Sequence, residues 1–227
     1  LCFQANIYCA YMCKILGTKI IIRSNSAPDG WSNNFFKKIV YKHALGTADK
    51  IIVNSLEFKK SLKKRFNLNS YCIYNPLDKI DIIKKSKKNV KIPFFKKKTF
   101  NFINVARFAD QKDHQTLLNG FLKLKDKIDY RLLLIGSGSN EVIIRNFIKL
   151  NNLEKKIFIK KNIQNPFPYI KKSDAFVLSS KYEGLPNVIL EAIVLNKFII
   201  SSDCPTGPTE ILDNGKGGLL FKMKNSD

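Results

Sequence analysis

Two carboxylates, Glu183 and Glu191, stand on either side of a turn that contains Gly184 and Pro186. The apolar run Ala175–Leu178 before the turn is typical of a buried strand, and the residues after it have the period of a helix. The spacing therefore predicts a strand, a turn and a helix, with one carboxylate in the loop and the other on the helix. Ligands of open α/β sheets bind at this position, outside the carboxyl end of a strand.

A second group of charged residues follows an earlier strand-like run. Arg107 and Lys112 come directly after it, and these side chains bind phosphate oxygens as a planar fork and as a point charge. Pro186 favours a helix beginning there, so the N–H groups of Asn187 and Val188 would form a further anion site. Together these groups predict the binding of a diphosphate. The alternative for Arg107 and Lys112 is a solvated basic loop in a lysine-rich chain.

These stretches resemble the family-4 retaining glycosyltransferases, which have the two-domain GT-B fold. The resemblance lies in ARFADQK at 106–112, EGLPNVILE at 183–191 and DCPTGPTEIL at 203–212. It implies that Arg107 and Lys112 hold the phosphates of a nucleotide sugar. It also implies that Glu191 accepts hydrogen bonds from the ribose hydroxyls and that Glu183 contacts the transferred sugar.

Other site residues follow from the same resemblance. Gly136, in a strand-to-helix turn, would lie beside the nucleotide, although a plain turn is the alternative. Residues 158–165 would face the base, and the chain has Ala106 and Lys161 where glycine is usual. The predicted catalytic residues are Glu183, Arg107 and Lys112, the donor-binding residues are Gly136, Gly184, Leu185, Pro186, Asn187, Val188 and Glu191, and the acceptor-side residue is Asn25.

Strand-like and helical segments alternate along the chain, which predicts an α/β fold with parallel sheets. We expect two doubly wound Rossmann-like domains that face a cleft. Residues 1–80 would be the later part of the amino-terminal, acceptor-side domain, and 99–227 the nucleotide-sugar-binding domain. Residues 81–98 carry a dense run of lysines and are predicted to be a basic linker. By the resemblance, the first domain and the carboxyl end are truncated.

The net charge of +22 favours a polyanionic partner or reflects compositional drift. A nucleic-acid-binding protein is one alternative, but no nucleic-acid motif is recognisable and the lysines are spread along the chain. The aromatic and basic residues around one early segment fit an anionic membrane surface or a core-facing stripe with solvated lysines. These residues are Trp31, Phe35, Phe36, Lys37 and Lys38.

The five cysteines are odd in number and lack paired C-x-x-C spacing, which predicts reduced thiols in a cytosolic protein. The two histidines have no metal-ligand partner at useful spacing, so no metal or cofactor is expected. The longest early apolar run is too short to span a membrane. We therefore expect a cytoplasmic protein, with peripheral binding to the inner face of the membrane as a further expectation.

The resemblance implies a metal-independent retaining transfer of a hexose or N-acetylhexosamine from a nucleotide sugar, expected to be UDP-linked. The acceptor would be a glycan or lipid-linked glycan in the synthesis of surface polysaccharide, lipopolysaccharide or another glycoconjugate. A nucleotide-sugar epimerase with the same fold is the second alternative.

Overall fold

The computed structural model describes residues 3–25, 35–96 and 98–226. The chain has an α/β fold with two parallel sheets, and its contacts divide it into two compact units. The α/β class and the parallel sheets predicted from the sequence are confirmed. The first unit comprises Leu1–Pro76, Tyr182–Leu185 and Pro205–Glu210, and the second comprises Leu77–Lys181, Pro186–Cys204 and Ile211–Asp227.

The first unit has a three-stranded parallel sheet in the order β1-β2-β3. A helix follows each of the first two strands and covers apolar residues such as Ile22 and Val53, which are buried. Its elements are α1 (Phe3–Ile15), β1 (Ile21–Ser24), α2 (Phe35–Gly46), β2 (Lys50–Val53), α3 (Leu56–Phe66) and β3 (Tyr71–Cys72).

Local sequence defines both ends of α3. The hydroxyl of Ser55 accepts a hydrogen bond from the N–H of Phe58 and caps the first turn, and the last turn is rich in basic residues. Asn67 ends the helix in the left-handed conformation, at φ 53°. Phe58, Leu62 and Phe66 are buried against the sheet. The cap and the buried side chains therefore hold the amino terminus of α3 in a defined position on the sheet of the first unit.

The second unit has a six-stranded parallel sheet in the order β6-β5-β4-β7-β8-β9. The chain runs outward from β4 in one direction and from β7 in the other, so the strand order reverses between these two central strands. Its elements are α4 (Lys79–Ser86), β4 (Phe100–Val105), α5 (His114–Lys123), β5 (Tyr130–Ile135), α6 (Glu141–Leu150), β6 (Ile157–Lys160), α7 (Phe167–Lys172), β7 (Ala175–Leu178), α8 (Asn187–Val194), β8 (Phe198–Ser202) and β9 (Leu219–Phe221). The short helix α9 (Pro208–Ile211) follows β8, and all but its last residue belong to the first unit.

Both faces of the second sheet are covered by helices. Every residue of β5 and β7 is buried, as expected for central strands of a doubly wound sheet. Because side chains alternate along a strand, Leu133 packs in one core with α4, α7 and α8, whereas Leu132 and Leu134 pack in the other with α5 and α6. The nearly continuous apolar sequence of these strands thus follows from burial on two sides.

Residues 81–98, predicted to be a basic linker, pack on the second unit. Asp78 caps α4 by accepting a hydrogen bond from the third residue of the helix, and Ile82 is buried in the core. Phe94 stacks on Phe158, with ring centroids 4.4 Å apart. The described lysines of this segment are exposed, whereas Ile82 and Phe94 pack against the second unit. The division by contacts falls at Pro76 and Leu77 instead.

The longest helix described, α1, has 13 residues. A helix needs about 20 apolar residues to cross a bilayer, and no helix of the described ranges is long and apolar enough to do so.

Candidate functional site

The two central strands of the second sheet are joined near their carboxyl ends by a side chain. Asn104, which is buried in β4, donates a hydrogen bond from Nδ2 to the carbonyl oxygen of Val177 in β7 at 2.8 Å. Each residue is the last but one of its strand. The bond therefore fixes the point at which the strand order reverses, where open parallel sheets bind ligands.

Arg107 lies in the loop after β4, against the glycine turn that follows β5. The backbone N–H groups of Ala106 and Phe108 donate to carbonyls of β5 and the turn at 3.0 and 2.9 Å. A Cβ on Gly136 would lie 1.9 Å from the oxygen of Ala106, and one on Gly138 would lie 2.4 Å from that of Phe108. The two loops are in backbone contact because these positions lack a side chain.

A cavity of about 550 Å³ lies beside Arg107 and entirely within the second unit. This volume is in the range of small-molecule sites. Its described lining contains one cationic side chain and no acidic one, which favours an anionic ligand. The lining residues are Val105, Ala106, Arg107, Ile135, Gly136, Ser137, Asn162, Ile163 and Gln164.

The cavity brings together two predictions. Arg107 and Gly136, assigned to phosphate and nucleotide, line the same space. Residues 162–164 come from the segment after β6 that the resemblance assigned to the base. Asn162 has a positive φ of 56°, a conformation that asparagine tolerates better than most residues.

Lys112 belongs to a short 3₁₀ helix, Asp110–Lys112, that precedes α5. Its carbonyl oxygen accepts a hydrogen bond from the hydroxyl of Ser179 at 2.8 Å, and the carbonyl of Gln111 accepts one from the N–H of Lys181 at 2.8 Å. The loop after β4 is therefore attached to the loop after β7, which supports the predicted grouping of Lys112 with the carboxyl end of that strand.

His114 lies beneath the same loop as a neutral side chain. It is 3% exposed, and its ring meets that of Phe108 edge to face at 5.0 Å. Burial lowers its pKa to about 4, and the positive charge of Lys112 contributes in the same direction. Neither ring nitrogen has a hydrogen-bond partner within the described part of the chain. Sequence pattern alone assigned this residue no role.

The predicted turn and helix after β7 are present. Pro186 precedes α8 and the helix begins at Asn187, so the start of this helix is where the sequence placed it. The first N–H groups of a helix have no carbonyl partner inside it. Asn187 is exposed and Val188 is half-buried, which is compatible with the predicted anion site at this terminus.

Glu191 is half-buried on the second turn of α8. Burial raises the pKa of its carboxyl above the ordinary value. No hydrogen bond or ion pair of this carboxylate is found among residues 3–25, 35–96 and 98–226. A carboxylate without such compensation gains most from a ligand that donates hydrogen bonds.

Glu183, Gly184 and Leu185 belong by their contacts to the first unit. Glu183 is buried; its N–H donates to the carbonyl of Pro205 at 3.3 Å and its carbonyl accepts from the hydroxyl of Thr206 at 2.6 Å. A Cβ on Gly184 would lie 2.0 Å from the carbonyl oxygen of Asn25. The predicted acceptor-side residue and the loop predicted to face the sugar are thus neighbours within the first unit.

Two acidic residues to which the sequence assigned no role, Glu57 and Glu210, connect the start of α3 to residues 205–210 within the first unit. Glu210 accepts hydrogen bonds from the N–H groups of Leu56 and Glu57 at 3.0 and 2.8 Å, and from the hydroxyl of Tyr74 at 2.5 Å. The carboxylate of Glu57 accepts one from the N–H of Gly207 at 2.8 Å. The bond to Glu210 raises the pKa of Tyr74 to about 12. The segment at 203–212, which contains Glu210 and carries part of the family resemblance, was the sequence signal for this cluster.

The sequence predicted no metal site and reduced cysteine thiols. Within the described ranges, no group of three or more His, Cys, Asp or Glu side chains could hold a metal ion. Cys9, Cys13, Cys72 and Cys204 are free thiols. Metal independence nevertheless stays a prediction.

The segment predicted to bind membranes is only partly described. Phe36, Lys37 and Lys38 are exposed on α2, whereas Trp31 and the side chain of Phe35 lie outside the described residues.

Comparisons with known proteins identify the family of the chain. The family model described as Glycosyl transferases group 1 matches residues 85–227. An uncharacterized glycosyltransferase of Methanocaldococcus jannaschii is 32% identical over 86% of this chain and 50% of its own length. A Campylobacter jejuni relative, named as an N-acetylgalactosamine-N,N'-diacetylbacillosaminyl-diphospho-undecaprenol 4-alpha-N-acetylgalactosaminyltransferase, is 26% identical over 97% of this chain and 61% of its own length.

Among solved structures, Anabaena HepE in complex with UDP and glucose matches with a TM-score of 0.81 and 17% identity, over 99% of this chain and 63% of that one. Likeness at this identity concerns the fold alone, and it confirms the fold predicted from the sequence. The chain spans about half to three fifths of the length of these relatives.

Proposed function

Because the chain belongs to the Glycosyl transferases group 1 family, we propose that the full-length protein transfers a hexose or N-acetylhexosamine from a UDP sugar with retention of configuration. The acceptor is a glycan or lipid-linked glycan, and the product belongs to surface polysaccharide, lipopolysaccharide or capsule synthesis. The observation that carries the proposal is the cavity at the carboxyl ends of β4, β5 and β6, which Arg107 and the glycine turn line together.

The second unit supplies groups suited to a nucleoside diphosphate. Cleavage of the sugar bond leaves additional negative charge on the diphosphate. Arg107, Lys112 and the first N–H groups of α8 stabilise this charge without a divalent cation. Such preorganised charges and dipoles usually contribute most of the rate enhancement. The base occupies the part of the cavity lined by residues 162–164.

The retaining step requires no nucleophilic side chain in this proposal. The acceptor oxygen attacks the anomeric carbon on the face from which the diphosphate leaves, and the bond between that carbon and the diphosphate oxygen breaks. The acceptor proton passes to a phosphate oxygen of the leaving group. The enzyme's part is to orient both substrates and to stabilise the departing charge.

Two carboxylates bind the sugars of the donor. Glu191 accepts hydrogen bonds from the ribose hydroxyls, which the absence of a described protein partner supports. Glu183 contacts the transferred sugar, and Asn25 lies on the acceptor side. The roles of Glu183 and Asn25 rest on the family resemblance and on the contact between Gly184 and Asn25.

A lipid-linked acceptor would place the protein at the inner face of a membrane. The exposed Phe36, Lys37 and Lys38 of α2 suit an anionic lipid surface, since an aromatic ring inserts among headgroups while lysines attract their charge. Peripheral membrane binding and cytoplasmic localisation are part of the proposal.

The test is calorimetric titration of the full-length protein with UDP, UDP-glucose, UDP-galactose and UDP-N-acetylglucosamine, and with GDP as a comparison. We expect UDP binding, and about a tenfold to hundredfold weaker Kd in Arg107→Ala, because a charge-assisted bond to phosphate contributes about 1.5–3 kcal/mol. Arg145→Ala is the matched control, since Arg145 is exposed and pairs with Glu141 on α6.

Three results would contradict the proposal. The first is the absence of binding to any nucleotide or nucleotide sugar. The second is equal loss of affinity in Arg107→Ala and Arg145→Ala. The third is conversion of one UDP sugar into another without release of UDP, which identifies an epimerase.

A further inference from the structure

We propose that Glu57 and Glu210 are positioning residues that hold the sugar-facing loop of Glu183 in place. The inference rests on the proposed function, because Glu183 must contact the transferred sugar for its position to affect transfer. Every contact in the argument lies within the first unit. Glu57 and Glu210 themselves touch no substrate in this proposal.

Glu210 lies on α9 and attaches the loop 205–210, which includes the start of this short helix, to α3. One carboxylate oxygen accepts from the N–H of Leu56 at 3.0 Å and from the hydroxyl of Tyr74 at 2.5 Å; the other accepts from the N–H of Glu57 at 2.8 Å. Two of these donors are the first N–H groups of an 11-residue helix, where a negative charge is favoured. Three donors converge on a single carboxylate, so an amide in its place cannot accept them all.

Glu57 completes the attachment in the opposite direction. Its backbone N–H donates to Glu210, and its side chain accepts from the N–H of Gly207 at 2.8 Å. The helix therefore binds both the end and the middle of the loop 205–210. Reciprocal attachment at two points fixes the orientation of the loop as well as its distance from α3.

Thr206 connects the loop 205–210 to Glu183. Its hydroxyl donates to the carbonyl of Glu183 at 2.6 Å, and the N–H of Glu183 donates to the carbonyl of Pro205 at 3.3 Å. Thr206 has a φ of 63°, which is rare for a β-branched residue and persists only where surrounding contacts determine it. Both polar backbone groups of Glu183 thus depend on the loop that the two glutamates hold.

The experiment compares Glu210→Gln and Glu57→Gln with wild type in the full-length protein. Backbone amide hydrogen exchange in 182–185 and 205–210 should accelerate by about tenfold or more, because opening of these segments costs less. Exchange in α8 and in the loop after β4 should stay unchanged. The kcat for UDP release from UDP-glucose, UDP-galactose or UDP-N-acetylglucosamine should fall by about tenfold to a hundredfold, with an unchanged Kd for UDP.

Further variants keep the test decisive if a glutamine variant fails to fold. Thr206→Val removes the hydroxyl and should show the same faster exchange at 182–185, whereas Thr206→Ser retains it and should restore wild-type exchange and kcat. Glu154→Gln changes an exposed glutamate of the second unit and should match wild type. Adding Glu210→Gln to Glu183→Gln should lower kcat little further, because both changes affect the same contact.

Unchanged hydrogen exchange at 182–185 in Glu210→Gln and Thr206→Val would show that Glu57 and Glu210 do not hold the loop of Glu183 in place, which is the positional link tested here. Faster exchange with unchanged kcat would overturn its importance for transfer. Faster exchange throughout the protein would indicate general destabilisation and also contradict the proposal. Absence of UDP binding by wild type would instead refute the proposed function, while the exchange comparison would still decide the positional link.

Discussion

Replacement of Gly136 by alanine tests whether the contact between the two loops positions Arg107. The added Cβ would lie 1.9 Å from the carbonyl oxygen of Ala106 and 3.0 Å from its carbon. Both are backbone atoms, so the loops must separate by about 1 Å before the contact is tolerable. Overpacking of this kind costs about 1–3 kcal/mol of the free energy of unfolding. Displacement of Arg107 would weaken the bonds to phosphate that we propose for it.

We expect Gly136→Ala to lower Tm by about 2–10 °C and to weaken the Kd for UDP by about tenfold to a hundredfold. Scanning calorimetry and UDP titration of the full-length protein measure the two effects. The control is Gly120→Ala in α5, where the new Cβ would meet its nearest atom at 3.5 Å and the helix should gain stability. Wild-type affinity for UDP in Gly136→Ala would show that the reasoning is wrong.

Two further predictions concern buried ionisable groups. Because burial raises the pKa of Glu191, ionisation of its carboxyl lowers the stability of the folded protein as pH rises. Glu191→Gln should therefore raise Tm at pH 7 by about 1–4 °C and also weaken UDP binding. An equal or lower Tm in the variant would contradict this. Because the pKa of His114 falls from 6.5 to about 4, the unfolded chain binds more protons between these values, and wild-type stability should decline as pH drops from about 6.5 to about 4. Urea titrations at several pH values should show a shallower decline in His114→Leu, and parallel curves would exclude the effect.

Much of the fold could be predicted from hydrophobic pattern. The bounds of β7 agree with the sequence to the residue, because a fully apolar run determines a buried strand locally. The segment 81–98 was misjudged because its lysines dominate the composition. The contacts that decide its structure, such as the stacking of Phe94 on Phe158, join residues far apart in sequence.

Sequence motifs indicated where parts of the candidate site lie, and the roles of its residues stay predictions. Arg107 and Gly136 line one cavity, and Pro186 precedes α8 as predicted. The bond between Asn104 and Val177 could not be predicted, because it depends on which strands become neighbours. Long-range contacts of Glu57 and Glu210 across 150 or more positions were likewise invisible to periodicity.

The assignment of 182–185 and 205–210 to the first unit has a consequence for chimeric enzymes. An exchange of everything after Pro76 between relatives would import both loops but leave α3 of the host in place. Under the proposed function, donor specificity would then change together with the hydrogen-bond partners of Leu56 and Glu57. Productive chimeras should be those in which the incoming loop carries a carboxylate at the position of Glu210 and the host helix carries one at Glu57.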